Sequence, residues 1–228
     1  MERQFQASEP ELMDRLDASP AELDAALRSL RGLNRWFGSY HIIAHFIRRW
    51  IKPDERLRIA DLCTGSADIP RYIADHARRV GAQVEITAVD FHPVTIETAQ
   101  RFSADYPEIK CVQADVLTFN DAPFDIVICS LALHHFADED AVRLLRRARE
   151  LSNGHVLISD LRRSVFAIVG VHLLTTFLFA DRMTRHDGRA SVRRAFTLDE
   201  LRDLARLAGW ENFGGRTFRF ARQAIWIG

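Results

Sequence analysis

Lysine is nearly missing from this chain. Of 31 basic residues only Lys52 and Lys110 are lysines, and 31 acidic residues bring the formal charge to zero. No field of one sign therefore draws in nucleic acid or an anionic membrane. Cysteine is scarce as well: Cys63, Cys111 and Cys129 each fall in or at the end of an apolar run and form no close pair. That spacing excludes a disulfide framework and a zinc site, so no metal is expected and the thiols read as buried in a reducing compartment. The apolar run Val165 to Ala180 is interrupted by His172, Thr175 and Thr176 and falls short of the roughly 20 residues of a transmembrane helix. Stable membrane insertion is not expected. The stretch Met1-Glu2-Arg3-Gln4-Phe5-Gln6 lacks the apolar core of a secretory signal, which gives a cytoplasmic expectation.

Glycine is thin where a nucleotide loop would need it most. The stretch Leu57-Arg58-Ile59-Ala60-Asp61-Leu62-Cys63-Thr64-Gly65-Ser66-Ala67-Asp68 reads as strand, tight turn and helix, with Ile69, Ile73 and Ala74 opening the helical pattern. Small side chains at such a corner leave amides uncovered, and the helix N-terminus points at whatever sits there. A dinucleotide or triphosphate loop shows three glycines or a Gly-Lys-Ser/Thr ending, and this turn has neither.

What is present is alternation. Strand patterns at Arg58–Leu62, Val84–Val89, Lys110–Gln113, Phe124–Ser130 and His155–Ser159 alternate with helical patterns at Asp68–Arg79, Pro93–Ala104 and Asp138–Leu151, the last stopped by Asn153-Gly154. Such alternation implies parallel strands with right-handed helical crossovers, a doubly wound α/β sheet whose ligands bind at the carboxyl ends of its strands. Before it, capping signals at Ser8-Glu9-Pro10-Glu11 and Ser19-Pro20-Ala21-Glu22 start two helices, and Leu23, Ala26, Leu27, Leu30 and Leu33 follow at helical spacing. A third amphipathic stretch runs from Trp36 to Ile51. Residues 1–55 thus form a helical segment, read equally as a lid over the site or a cap on the sheet, and residues 56–228 form the main domain. Strand two ends in Asp90-Phe91, about where nucleotide-binding folds place an acid for the ribose hydroxyls; its plainer use is to cap the helix starting at Pro93.

The turn resembles the first motif of class I S-adenosylmethionine-dependent methyltransferases, in the Asp-x-Cys-x-Gly-x-Ala-Asp form of some menaquinone-biosynthesis C-methyltransferases. Asp61, Cys63, Gly65, Ala67 and Asp68 stand at those positions, with Cys63 and Ala67 where most of the superfamily has glycine. The resemblance implies a Rossmann-like seven-stranded sheet in the order 3-2-1-4-5-7-6, closed by a terminal hairpin over Asn212–Phe220 and Ala221–Ile227. It implies S-adenosylmethionine as cofactor, held by Asp61, Cys63, Gly65 and Ala67 at the methionine part, Asp90 and Phe91 at the ribose, and Asp115 and Val116 at the adenine. Ser130, at the end of strand four, is counted with them. Phe124-Asp125 matches the usual opening of that strand.

After strand four comes Ser130-Leu131-Ala132-Leu133-His134-His135-Phe136, without the Asn/Asp-Pro-Pro-aromatic signature of methyltransferases acting on nucleobase amino groups. Transfer from a sulfonium needs the acceptor in line, and a base only where an acidic O–H must be stripped or a ring carbon activated. His134 and His135 are the candidates, since imidazole titrates near neutrality. The competing reading is a histidine satisfied by loop carbonyls. Residues of about 161–196 form a substrate-side insertion, and its apolar run reads as a buried helix, a wall of a greasy pocket or a membrane-touching surface. The segment Arg185 to Phe196 reads as a polar loop, and Asp187, Ser191 and Arg194 are offered to an acceptor's oxygens, with Tyr40, His41 and Arg163 as further substrate candidates.

These readings converge on a methyltransferase acting on an oxygen or activated carbon of a hydrophobic small molecule, possible classes being aromatic, polyketide-like and quinone-like. A homodimer is left open. A non-catalytic S-adenosylmethionine binder or partner subunit is the alternative, and a protein or RNA methyltransferase a third reading.

Overall fold

The computed structural model describes residues 1–228 apart from 7, 16, 122 and 179–181, and apart from the side chains of 33, 35, 36, 177 and 178. The last residue of the apolar run, Ala180, and the side chains of Leu33 and Trp36 therefore lie outside the described residues. The strands are β1 (Arg56–Leu62), β2 (Gln83–Asp90), β3 (Ile109–Gln113), β4 (Phe124–Ser130), β5 (Ser152–Leu161), β6 (Gly214–Phe218) and β7 (Arg222–Ile227). They form one sheet in the order β3-β2-β1-β4-β5-β7-β6. Strands β1 to β5 are parallel, and β7 enters antiparallel between β5 and β6. Among the described residues the α-helices are α1 (Pro20–Trp36), α2 (Ser39–Trp50), α3 (Asp68–Val80), α4 (Pro93–Phe102), α5 (Asp138–Glu150), α6 (Val165–Leu178), α7 (Arg182–Arg194) and α8 (Leu198–Leu207).

The central strands are apolar on both faces, and the period of two sorts them into two cores. Ile59, Ile126, Ile128 and Leu157 face α2 and α3, packing on Ile42, Ile43, Phe46 and Ile73. Their neighbours Ala60, Val127, Cys129, Val156 and Ile158 face α5 and α8, packing on Leu144, Leu145, Leu201 and Leu204. Each aliphatic side chain buried this way contributes about 1.5–3 kcal/mol. Helix α2 therefore belongs to the sheet's packing, whereas α1 joins a separate cluster in which Leu23, Ala26 and Leu27 meet Met183 of α7.

Three local expectations fail for identifiable reasons. The signal at Ser8–Glu11 gives only a single 3-10 turn, Leu12–Asp14. Tertiary partners take that segment instead: the amides of Leu12 and Met13 donate to Asp187, and Glu11 turns inward to the Ser191 hydroxyl. The polar stretch 185–196 is not a loop but most of α7, whose buried face (Met183, Thr184, Asp187, Ser191, Val192) follows helical spacing with polar residues. Asn153-Gly154 does not end α5; both residues lie in β5, which begins at Ser152.

Gly154 is needed there for space. A Cβ at this position would fall 2.7 Å from the carbonyl oxygen of Asp125 on β4, a backbone atom that moves only with its strand. Gly154→Ala is expected to cost about 1–3 kcal/mol, as overpacking does. A lowered thermal midpoint in calorimetry checks this, and an unchanged midpoint would refute the contact.

Candidate active site

The turn after β1 is built from alternating left-handed residues: Cys63 (φ 58°), Gly65 (φ 56°) and Ala67 (φ 56°). Holding a non-glycine residue there costs on the order of 1–2 kcal/mol, so Cys63 and Ala67 keep the backbone of a glycine-rich turn against their own preference. Hydrogen bonds hold it: Thr64 N–H donates to Val89 O (2.8 Å), Gly65 N–H to Asp90 Oδ2 (2.9 Å), and the Thr64 hydroxyl to Asp61 Oδ2 (2.6 Å). Asp90 also accepts from His92 N–H through Oδ1 (3.1 Å). The carboxylate thus bridges the turn to His92, the residue just before α4, and faces the cavity; it makes no bond to the first turn of the helix.

This turn is one wall of a cavity of about 740 Å³, the size of a small-molecule site. Asp61, Cys63, Gly65, Asp90, Phe91, Asp115, Val116, Ser130, His134, His135, Asp187 and Arg194 all line it. Helix α1 roofs the turn with Ala26, Leu27 and Leu30, and α6 supplies Val171, Leu174 and Thr175 to the wall.

Four candidates are elsewhere. Ala67 is fully buried beneath the turn against Ala88 and Ala99. The Tyr40 hydroxyl donates to Asp68 (3.0 Å) and its ring stacks on Tyr72, and His41 is exposed on α2. Arg163 is buried and donates to the carbonyls of Met1 and Ala195 and to Glu200. Tyr40, His41 and Arg163 are therefore corrected from substrate candidates to structural or solvent-facing positions. Within the cavity, both oxygens of Asp187 are occupied by the amides of Leu12 (2.8 Å) and Met13 (3.0 Å), and Arg194 donates to the Glu9 carbonyl and approaches Glu11 Oε1 at 3.6 Å. These two hold the N-terminal segment in place.

Burial raises the Asp61 carboxyl to about 8; the Thr64 hydroxyl opposes this, and nearby Asp68 and Asp90 add to it. Burial also raises Asp90, against the two amides it accepts from. Carboxyl groups that burial discourages from ionising gain from a cation that enters among them.

At the other end, residues Leu133–His135 form a 3-10 turn that brings both imidazoles to the cavity with ring centroids 4.3 Å apart. His134 is 3% exposed. Its Nδ1 lies 2.6 Å from Asp160 Oδ1, and its backbone N–H donates to Asp160 Oδ2 (2.9 Å). A carboxylate on Nδ1 makes that nitrogen the donor and leaves Nε2 the basic one. His135 Nδ1 lies 2.6 Å from Asp14 Oδ2, and its Nε2 is 4.0 Å from Glu11. Burial opposes charge on His135, but Glu11, Asp14 and Asp160 outweigh it and raise the imidazole to about 10. The acids around His135 thus favour its charged form at neutral pH.

Glu11, His134 and His135 place potential metal-ligand atoms within 4.8 Å of one another. Arg194 and the His135 charge already supply cations to that corner. Sequence reasoning missed Asp160, Glu11 and Asp14. Asp160 had a signal, because the β4–β5 register pairs Ser130 with Ser159 and so sets residue 160 beside the histidine loop. Glu11 and Asp14, more than a hundred residues away in the chain, had none.

Strand order, helices on both faces and a cavity at the carboxyl ends of β1, β2 and β4 define the class I methyltransferase fold. Human N-acetylserotonin methyltransferase, solved with S-adenosylmethionine, matches 97% of this chain and 59% of its own with a TM-score of 0.69 at 17% identity. The plantazolicin methyltransferase BpumL, solved with S-adenosylhomocysteine, matches 94% and 93% with a TM-score of 0.67 at 12% identity. Residues 59–154 match the family model of methyltransferase domains. A 2-phytyl-1,4-naphtoquinone methyltransferase of Trichormus variabilis is 33% identical over 139 residues, 58% of this chain and 59% of that relative. The chain spans about half the length of the curated relatives it matches.

The His135–Asp14 pair makes a pH prediction. The folded imidazole titrates at about 10 and the unfolded one near 6.5. The folded state holds the extra proton between those values, so the pair's stabilisation is complete below about 6.5 and is lost as pH rises to 10. Thermal midpoints should fall across that window, and His135→Gln should flatten this part of the profile. An imidazole NMR resonance for His135 titrating below pH 7 would contradict the assignment.

Proposed function

We propose that this chain is an S-adenosylmethionine-dependent methyltransferase whose acceptor is a hydrophobic small molecule bearing an ionisable hydroxyl. The observation that carries the reading is the pairing, in one cavity, of the left-handed turn with Asp90 at one end and the His134–Asp160 dyad at the other. The residues fit the cofactor. A Cβ on Gly65 would point at Leu27 Cδ2 (3.9 Å), so the bare face of the turn opens into the cavity under α1. The Ser130 hydroxyl is buried in the wall without a partner among the described residues, and the acids Asp61, Asp68 and Asp90 gather where a sulfonium and an ammonium would be neutralised.

When bound, S-adenosylmethionine supplies an electrophilic methyl group. The rest falls to the chain. Asp90 would accept from the ribose hydroxyls and Asp115 from the adenine amino group. The α1 roof would exclude water, and Val171 and Leu174 would hold the acceptor's apolar body. His134 Nε2 would take the hydroxyl proton, with Asp160 fixing the tautomer and stabilising the imidazolium that forms. The charge on His135 beside it favours an acceptor oxygen that is becoming an anion. The resemblance to quinone methyltransferases supports the acceptor's lipophilic character, and the dyad favours oxygen over carbon.

Calorimetric titration with S-adenosylmethionine tests the first half: Asp90→Ala should weaken binding at least about tenfold, the loss of roughly 1.4 kcal/mol. Turnover of phenolic and quinol acceptors tests the second. His134→Gln should lower kcat by about 10²–10⁴-fold, the usual contribution of a positioned base, with cofactor affinity unchanged. Retained turnover in His134→Gln would discard the base, and failure of the wild-type chain to bind S-adenosylmethionine would discard the whole reading.

A further inference from the structure

We propose that the outer face of α6 rests on an anionic lipid bilayer and feeds the acceptor to the cavity from it. Helix α6, Val165-Phe-Ala-Ile-Val-Gly-Val-His-Leu-Leu-Thr-Thr-Phe-Leu178, contains no charged residue. One side serves the cavity through Val171, Leu174 and Thr175. The opposite side is apolar and bare: Phe166 is 90% exposed, Val165 64%, Val169 53% and Leu173 52%. These four make up half of the large apolar side chains exposed among the described residues, so the patch is concentrated on one helix and is not general surface scatter.

Charge identifies the occupant. The chain as a whole is neutral, yet residues 161–196 carry seven arginines and two aspartates. Arg162, Arg182, Arg185, Arg189 and Arg193 all keep exposed surface, and none is ion-paired among the described residues. Arg189 lies along α6 itself, donating to the hydroxyls of Thr175 (3.0 Å) and Thr176 (2.8 Å). An apolar helix flanked by uncompensated arginines is the pattern that lies in the headgroup region of an anionic leaflet. A second copy of the chain is a poorer occupant, because a two-fold contact sets the same arginine-rich rim against itself. No described helix is long and apolar enough to cross a membrane.

The purpose of docking rests on the hydrophobic acceptor proposed above, but docking itself does not. A lipophilic acceptor partitions into the bilayer, and α6 is the element that touches both lipid and cavity. Its exchange then need not pass through water.

The test is co-sedimentation of the full chain with vesicles of phosphatidylcholine alone and of phosphatidylcholine mixed with phosphatidylglycerol, without cofactor or acceptor. Binding is expected to the mixed vesicles and to weaken with salt. Phe166→Glu and Val169→Glu should each reduce it by about tenfold or more, and Arg182→Glu by several-fold, while Leu207→Glu, on the exposed face of α8, should leave it unchanged. Thermal midpoints and S-adenosylmethionine affinity of the α6 variants should match the wild type. No vesicle binding, binding that survives both α6 substitutions, or concentration-dependent dimerisation abolished by Phe166→Glu would each overturn the proposal. Lost cofactor affinity in the wild type would instead count against the methyltransferase reading alone.

Discussion

Two carboxylates meeting two adjacent imidazoles tie the sheet of this protein to its roof. Asp160, at the end of β5, fixes His134 from the sheet side, and Asp14, from the N-terminal segment, fixes His135 from above. Neighbouring side chains in a short 3-10 turn thereby belong to different layers of the molecule. Neither layer is complete without the other. Arg3 reinforces the junction, donating to the carbonyls of His134, Phe136 and Arg194 and to Asp138. One nitrogen of each histidine is committed to a carboxylate, so the chemistry left to the pair is narrow: the Nε2 side of His134 and a positive charge favoured on His135.

The roof itself comes from two stretches far apart in sequence. Residues 1–36 and α7 meet through Asp187, Arg194, Glu11 and the Leu23–Met183 cluster. Polar residues that face a cavity are easily read as ligand contacts, and here that reading would mislead. Asp187 spends both oxygens on backbone amides, and losing it would uncap the Leu12–Asp14 turn. The cavity's shape is thus a tertiary property, set by whether the N-terminal segment is docked.

How far the sequence foretells this depends on what each signal rests on. Strand and helix positions were legible from the period of two and the turn chemistry, and the strand order from the resemblance, whose motif members lie within about seventy residues. Asp61, Gly65, Asp90 and Asp115 reach one cavity for that reason. Helix α7 was not legible, since its buried face is polar and shows no apolar stripe. Gly154 has the look of a helix stop, and only the closeness of Asp125 on the next strand explains it. Tyr40, His41 and Arg163 were placed by sequence neighbourhood alone, and the partners that hold Tyr40 and Arg163 (Asp68, Tyr72, Met1, Glu200) had no sequence-level mark. The His135 imidazolium depends on Glu11 and Asp14, whose arrival no local pattern announces.

Cys63 stands at a position where glycine is the usual choice, inside a cavity suited to an alkylating ligand. A thiolate there would be a ready target for self-alkylation. Its hydrogen bond with Cys129, together with burial and the nearby Asp90 and Asp61, pushes the Cys63 thiol well above its ordinary range. The protonated thiol is a poor nucleophile. No lysine lines the cavity among the described residues, and guanidinium groups do not lose their proton under ordinary conditions. The chain's preference for arginine and the neutrality of one buried thiol thus have a common outcome: a wall with few groups capable of attacking the reagent it would enclose.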